Sequence, residues 1–428
     1  MNQATITIVV LIFTIIALIS HKIPAIVVGL LIPLVLAVAG VIPAADAYTG
    51  LGSKTIFLII GALALGDACN RTGLTDLIGA EVLRFSQRFK SEAPKLVIIG
   101  LLAATMSAFL SSFSVQVVLL SLIIVMAQSL RLSKTRSLLL LGYASTLGGT
   151  WSIIGTTNMV MAKSTYESLV PGESIGMFEM SVIAVPVGLI AILLYCFITS
   201  KFVPDREMGH LEDAEPEPGE PAAVKKYARR DQIIVAVTFV AFIVLVALDG
   251  MIPLPSHLVS VLTMIALCAF GVSSVRSIVE CINWDMIFLI TGITVLSDAM
   301  ASSGISEWIG ELLLSLAGEQ GGLLFILASI SVVGVVLTQF MNNSGAFGVI
   351  LPFLPVIGES LGMSLKPLIV CAALSCSFGF CTMLAAPSYI ILAEEGNIQT
   401  SDWLKAGILP TIVCVALTVL LIPVFFPA

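Results

Sequence analysis

The chain has 428 residues, of which 58% are hydrophobic and 11% are charged. Soluble domains carry about 25% charged residues, so this composition excludes an ordinary soluble protein. Apolar runs of about 20 residues recur along the sequence, and each can cross a bilayer as a helix. The net charge of −7 arises largely in loops and gives no reason to expect a nucleic-acid partner.

The first apolar run, residues 5–19, follows Met1-Asn2-Gln3, which contains no basic residue. No small-residue cleavage site comes after it, so we expect a membrane helix and not a cleaved signal peptide. The eight cysteines lie mostly inside apolar runs. Cys371, Cys376 and Cys381 are five positions apart, which is not a metal-ligand spacing, and we interpret them as small buried residues.

An internal repeat relates the two halves of the chain. When the sequence is shifted by 231 positions, eleven of the 24 residues 56–79 are identical to residues 287–310. The same offset places Ser107 on Thr338 and Gly148 on Gly379. The segment 201–231 is rich in Pro, Glu, Lys and Arg and is interpreted as a cytoplasmic linker. We therefore predict repeat 1 at 1–200 and repeat 2 at 232–428.

The first half contains segments of three kinds. Helices are predicted near 4–20, 23–41, 54–72 and 178–200, and an amphipathic stretch at 74–92. The apolar segments 95–130 and 137–163 are interrupted by polar or Gly-rich clusters, which lipid does not tolerate unless protein or water surrounds them. We predict a re-entrant hairpin at 95–130 and a broken helix at 137–163. Their counterparts in the second half are a hairpin at 320–360 and a broken helix at 366–395.

Each half then has five crossings, so the second half starts on the opposite side of the membrane and forms an inverted repeat. The predicted fold is an all-α polytopic membrane protein with two inverted repeats and about ten transmembrane helices. With the N-terminus outside, 17 of the 20 Lys and Arg residues fall in inside loops, and only Lys54, Lys163 and Lys366 fall outside. We therefore expect a plasma or inner membrane protein with both termini extracytoplasmic. The acidic stretch 305–319 fits this arrangement as the outer counterpart of the basic stretch 74–92.

The two hairpin tips and the two broken helices are expected to meet near the membrane midplane, where secondary transporters bind substrate and coupling ions. They offer hydroxyls, side-chain amides and backbone carbonyls, but no Lys or Arg. Such oxygen ligands suit a hard cation such as sodium, and helix N-termini favour an anion. A cation and an anion bound together lower each other's desolvation cost, which is a physical reason for symport.

At these positions the sequence resembles the divalent anion/sodium symporters, the dicarboxylate and citrate transporter family of the ion transporter superfamily. Ser111-Ser112-Phe113 and Asn342-Asn343-Ser344 take the places of the two Ser-Asn-Thr signatures of that family. Gly155-Thr156-Thr157-Asn158 and Ala385-Ala386-Pro387-Ser388 resemble its two broken-helix turns. Three residues depart from the pattern: Phe113 replaces a carboxylate-binding hydroxyl, Ser112 replaces an amide, and Tyr389 stands where Asn is usual.

The resemblance implies a homodimer in the lipid membrane that carries a small organic anion, such as a di- or tricarboxylate, by elevator-type alternating access, with sodium as coupling ion and no organic cofactor. The implied sodium ligands are Ser107, Ser111, Ser112, Gly155, Thr338, Asn342, Asn343 and Ala385. The implied substrate contacts are Ser112, Phe113, Thr156, Thr157, Asn158, Asn343, Ser344, Pro387 and Ser388.

Alternatives within the same superfamily are a sodium/proton antiporter and a transporter of inorganic anions such as sulfate or metalloids. A passive channel is a further alternative. A membrane enzyme is disfavoured because no metal cluster or nucleophile–base pair is recognisable. The equivalent acids Asp67 and Asp298 are interpreted either as proton-relay groups or as groups that cap helix ends or contact loops.

Overall fold

A computed structural model describes residues 3–20, 22–74, 77, 81, 84–205, 228–248, 254–282, 284–303 and 322–427. Within these ranges the regular structure is helical and contains no strand, which confirms the predicted all-α class. The helices of the first half are α1 Gln3–Ser20, α2 Ala25–Val38, α3 Lys54–Arg71, α4 Glu92–Ser107, α5 Ser112–Leu130, α6 Lys134–Gly149, α7 Thr157–Leu169 and α8 Ser181–Phe197.

The second half follows the same order, with one additional helix, α11, and with the second limb of its hairpin divided into α14 and α15. Its helices are α9 Arg229–Ala247, α10 Ser256–Ala269, α11 Val275–Cys281, α12 Trp284–Ser302, α13 Leu323–Thr338, α14 Asn343–Ile350, α15 Phe353–Leu361, α16 Leu365–Ser375, α17 Pro387–Glu395 and α18 Thr400–Phe425. Short 3-10 turns lie at Ala44–Asp46, Thr49–Gly52, Thr199–Phe202 and Met383–Ala385.

Helix ends follow local sequence signals. Helix α2 ends at Val38, three residues before the predicted boundary, because Gly40 adopts a left-handed conformation with φ 71°. The backbone N–H of Arg136 donates to the Ser133 hydroxyl at the start of α6. Pro387 occupies the first turn of α17, where its missing N–H costs no helical hydrogen bond.

Three predicted segments lie partly or wholly outside the described residues. The acidic stretch 305–319 is wholly outside, and so are residues 206–227 of the predicted linker. Helix α9 begins at Arg229, inside the predicted linker boundary. Of the amphipathic stretch 74–92, the structure describes residues 74, 77, 81 and 84–92, and residues 84–86 are helical.

Two segments of the described chain are long and apolar enough to cross a membrane, Ala44–Arg71 and Thr400–Phe425. The number rises to four if two bent helix pairs each count as one span. These pairs, Ser112–Leu120 with Leu122–Leu130 and Asn343–Ile350 with Phe353–Leu361, bend by 50° and 41°. They are the second limbs of the two hairpins. The ten predicted crossings stay a prediction.

Helices α2, α3, α10 and α12, called the frame here, pair across the two halves. Helix α2 packs on α12, and α3 packs on α10. A Cβ atom on Gly292 would lie 2.8 Å from the Cα of Gly29, and one on Gly61 would lie 2.8 Å from the Cα of Ser260. The offset of 231 relates Gly29 to Ser260 and Gly61 to Gly292, so the two crossings are equivalent contacts.

The hairpins, the broken helices and the last helix of each half, α4–α8 and α13–α18, are called the hairpin unit here. Helix α6 packs on both limbs of the first hairpin, and α16 packs on α13 of the second. Helices α8 and α18 pack on one another. The hairpin unit meets the frame where α7 packs on α12 and where Gly348 of α14 contacts Ile293 of α12.

Candidate functional site

A cavity of about 310 Å³ lies between the hairpin tips, the broken helices and α12. Its lining residues are Ser111, Ser112, Phe113, Gly155, Thr156, Thr157, Asn158, Asp285, Leu289, Asn342, Asn343, Ser344, Ala385 and Ala386. Both tips and both broken helices therefore contribute to one cavity. Asp285 is the one charged side chain among these lining residues.

At the first tip, α4 ends at Ser107 and α5 begins at Ser112. The hydroxyls of these two residues lie 2.8 Å apart, and the Ser112 hydroxyl also donates to the carbonyl oxygens of Ser145 and Gly155 at 3.1 and 3.3 Å. The backbone N–H of Ser112 donates to the same Gly155 oxygen. The first tip is thus bonded to both sides of the break in the neighbouring helix.

Gly155 must be a glycine for this approach. A Cβ atom at that position would lie 2.6 Å from the carbonyl oxygen of Ser107 and 2.7 Å from the Cα of Gly149. Ser152, in the same break, donates a short hydrogen bond to the carbonyl oxygen of Ala108. The broken helix therefore holds the tip by backbone contacts, and several of its carbonyl oxygens gather there.

The second tip repeats this geometry with different side chains. Thr338, equivalent to Ser107, donates to Asn343 Oδ1 at 2.8 Å, and Asn343 is equivalent to Ser112. Asn342 Oδ1 accepts from the backbone N–H of Gly345 at 2.7 Å and so caps α14. Thr382 donates a short hydrogen bond to the carbonyl oxygen of Gln339, which ties the second broken helix to this tip.

The two broken helices are joined to each other by Asn158 and Tyr389. Asn158 Nδ2 donates to the carbonyl oxygen of Ala373 at 2.7 Å and to the Ser377 hydroxyl at 2.8 Å. The buried Asn158 Oδ1 has no partner among the described residues, and Asn158 lines the cavity. Tyr389 is fully buried and does not line the cavity.

The predicted site residues fall into three groups. Ser111, Ser112, Phe113, Gly155, Thr156, Thr157, Asn158, Asn342, Asn343, Ser344 and Ala385 line the cavity. Ser107 and Thr338 are fully buried behind the tips, where they contact the cavity-lining Ser112 and Asn343. Ser388 is buried and is not among the described lining residues, and Pro387 begins α17.

Sequence reasoning missed Asp285 and Leu289, which reach the cavity from the frame. Asp285 Oδ1 also accepts from the backbone N–H of Ile26 at 2.9 Å, at the start of α2. A signal for Asp285 was present, since the offset makes it equivalent to Lys54, a charged residue at the start of α3. The crossing of α2 and α12, which brings Asp285 to the site, cannot be read from the helical pattern.

Other polar groups lie away from the cavity. Asp67 pairs with Arg71 at 2.9 Å within α3. Lys163 is buried and contacts Glu167, the Ser174 hydroxyl and the carbonyl oxygen of Ile175. Across the described ranges, no group of three or more His, Cys, Asp or Glu side chains is placed to hold a metal ion, and all eight cysteines are free.

A cavity lined by two hairpin tips and two broken helices is the arrangement in which secondary transporters bind their substrates, and it points to a membrane transporter. The family model described as "Citrate transporter" matches residues 10–255 and 243–428. The chain belongs to this citrate transporter family, which confirms the resemblance to the dicarboxylate and citrate symporters. Its family and relatives are transporters and not enzymes.

Characterised and uncharacterised transporters are among its relatives. The chain is 24% identical over 408 residues to an uncharacterised transporter of Methanocaldococcus jannaschii, with 93% of this chain and 88% of that one covered. It is 21% identical over 450 residues to the sodium-dependent dicarboxylate transporter SdcS of Staphylococcus saprophyticus, with coverages of 96% and 83%. Human solute carrier family 13 member 1 is 30% identical over 137 residues, which cover 32% of this chain and 23% of that one.

Solved structures share the fold. The YdaH transporter of Alcanivorax borkumensis superposes with a TM-score of 0.61 at 12% identity, over 91% of this chain and 87% of that one. The efflux pump MtrF of Neisseria gonorrhoeae gives a TM-score of 0.63 at 12% identity, over 99% and 94%. At such identities the likeness concerns the fold alone.

Proposed function

We propose that the protein is a secondary active transporter that couples the uptake of a small organic anion to a cation gradient, with sodium as the cation. The observation that carries this proposal is the single cavity lined by both hairpin tips and both broken helices. The SdcS relative is a sodium-dependent dicarboxylate transporter, which supports sodium and makes di- and tricarboxylates the first anions to test.

Two clusters of neutral oxygens suit sodium. The first consists of the hydroxyls of Ser107, Ser111 and Ser112 with the carbonyl oxygen of Gly155. The second consists of the oxygens of Thr338, Asn342 and Asn343 with the backbone near Ala385. Hard cations prefer oxygen ligands, and a bound cation beside the cavity would offset the charge of an anionic substrate.

The proposed mechanism is an elevator-type motion in which the hairpin unit slides along the frame of a homodimer. Asn158 and Tyr389 tie the two broken helices together, so both tips would move as one body. In the orientation expected from the Lys and Arg distribution, α12 starts at the cytoplasmic face. Asp285 would then lie on the cytoplasmic side of the cavity.

The test is uptake by the full chain in proteoliposomes, with dicarboxylates, citrate, sulfate and monocarboxylates as substrates. Each compound is tested with an inward sodium gradient, with a proton gradient and with neither. The proposal expects uptake of at least one organic anion to rise with the sodium gradient. Uptake that responds to no cation gradient would overturn symport.

One observation favours a second candidate, a sodium/proton antiporter. The Asp285 carboxylate lines the cavity, and antiport needs a group that exchanges a proton for an ion. Proton uptake into sodium-loaded vesicles, measured with a pH-sensitive dye, separates the two functions, because sodium that leaves through an antiporter is exchanged for protons that enter. Antiport expects a proton flux without any organic anion, and Asp285→Asn would abolish that flux.

A further inference from the structure

We infer that the preferred substrate is a small monocarboxylate with an apolar end, which binds with its carboxylate at Asn343 and Ser344 and its apolar end against Phe113. This inference rests on the proposed function and narrows it from small organic anions to amphipathic ones. The two hairpin tips carry different side chains at equivalent positions of the repeat, and this difference is the basis of the inference.

The second tip has the donors that a carboxylate needs. Asn343 uses its Oδ1 to accept from Thr338, and its Nδ2 has no partner among the described residues, so two N–H groups remain to donate. The Ser344 hydroxyl lines the cavity beside it. Both residues lie in the first turn of α14, where the helix dipole favours negative charge.

The first tip lacks this set of donors. Phe113 is equivalent to Ser344, lines the cavity and is 48% exposed. Ser112 is equivalent to Asn343, but its hydroxyl is engaged with Ser107 and with two backbone carbonyls. The first turn of α5 also lies at this end, but a carboxylate beside Phe113 would meet an aromatic ring and no free side-chain donor from Ser112. An apolar group would gain by covering the ring.

The charge of the lining also disfavours a second carboxylate. Asp285 is the only charged side chain among the described lining residues, and Lys, Arg and His do not occur among them. A second carboxylate would lose its hydration without gaining an opposite side-chain charge in return.

The experiment compares pentanoate with glutarate, which have the same carbon chain and differ in the second carboxylate. Binding is measured on the purified full chain as the ligand-dependent rise in melting temperature, with and without sodium. This readout avoids the passive permeation of neutral pentanoic acid through vesicles. We expect pentanoate to bind at least tenfold more tightly than glutarate in sodium.

Three variants test the assignment to Phe113 and Asp285. Phe113→Ser restores the hydroxyl found at Ser344 and is expected to shift the pentanoate-to-glutarate affinity ratio about tenfold toward glutarate. Phe113→Leu, which stays apolar, is expected to retain the ratio. Asp285→Asn keeps an acceptor for the Ile26 N–H and is expected to improve glutarate binding several-fold. Val117→Ser, one turn along α5 and outside the lining, is the control.

Glutarate binding as tight as pentanoate binding, or binding of neither acid, overturns the inference. An unchanged ratio in Phe113→Ser, with a normal melting temperature, also overturns it. If another anion of the uptake panel still follows the sodium gradient, the proposed symport survives this failure. If no anion is taken up in response to the sodium gradient, both the proposed function and this inference are wrong.

Discussion

Asn158 and Tyr389, 231 positions apart, make the same two contacts on opposite broken helices. Asn158 donates to the carbonyl oxygen of Ala373 and to the Ser377 hydroxyl, while the Tyr389 hydroxyl lies 3.2 Å from the Gly142 oxygen and 2.8 Å from the Thr146 hydroxyl. Gly142 is equivalent to Ala373, and Thr146 is equivalent to Ser377. The short amide side chain of Asn158 and the long phenol side chain of Tyr389 therefore make symmetry-equivalent contacts between the two broken helices.

Substitutions of Tyr389 and Asn158 should have different effects on stability and on substrate binding. Tyr389→Phe removes one hydroxyl but keeps the ring stacked on Trp403 at 4.5 Å, so we expect a loss of about 1 kcal/mol in stability and unchanged substrate affinity. Asn158→Ala removes two hydrogen bonds and a residue of the cavity lining, so it should lower both the stability and the substrate affinity. Melting temperature and ligand-dependent stabilisation are measured on both variants. Equal loss of ligand binding in Tyr389→Phe would contradict the assignment.

Removing the amide at the second tip should eliminate substrate binding. In Asn343→Ala the Nδ2 donors are lost, and we expect the ligand-dependent rise in melting temperature to disappear. Ser329→Ala is a matched control, because the Ser329 hydroxyl only donates within its own helix to Phe325. An Asn343→Ala protein that is still stabilised by substrate would place the site elsewhere.

Removal of the buried hydroxyls behind the tips should weaken sodium binding more than substrate binding. Ser107→Ala and Thr338→Val each remove one oxygen from a proposed sodium cluster, and each should raise the sodium concentration for half-maximal uptake about tenfold, which corresponds to about 1.4 kcal/mol. Substrate affinity at saturating sodium should change little, because neither side chain lines the cavity. Sodium titrations of uptake at fixed substrate decide the matter, and an unchanged sodium requirement would remove both residues from the ion sites.

The frame crossings should tolerate no added methyl group. Gly61→Ala would place a Cβ 2.8 Å from the Cα of Ser260, in a backbone contact that cannot relax cheaply, so we expect a loss of about 1–3 kcal/mol. Gly52→Ala is the control, since a Cβ there meets nothing within 4 Å. Melting temperatures in detergent compare the two. A Gly61→Ala protein as stable as Gly52→Ala would mean that the crossing is looser than the structure has it.

Much of the architecture could be predicted because the membrane leaves few options for backbone polar groups. Polar clusters in the apolar segments 95–130 and 137–163 indicated the hairpin and the broken helix, and the structure has breaks at Ser107–Ser112 and Gly149–Thr157. The offset of 231 indicated which tip residues are equivalent. The assignment of individual site residues to sodium or substrate stays a prediction.

The rest depended on tertiary contacts that leave little trace in the sequence. Asp285 reaches the cavity because α2 and α12 cross at Gly29 and Gly292, and glycine is common in apolar helices for many reasons. Tyr389 was recognised only as a departure from the family pattern. Its role in joining the broken helices depends on the separation between α6 and α17, which the phenol spans.

The two frame crossings have a mechanical consequence. At Gly29 with Gly292 and at Gly61 with Ser260 the helices meet backbone to backbone, so no long side chain can change rotamer to let them slide or rock. Such a frame is stiff, and the softer boundary is where Ile293 lies against Gly348 of the hairpin unit. The isoleucine side chain can change its rotamer against a glycine, which has no side chain, at a low cost in free energy. We therefore expect the hairpin unit to move relative to the frame along that boundary.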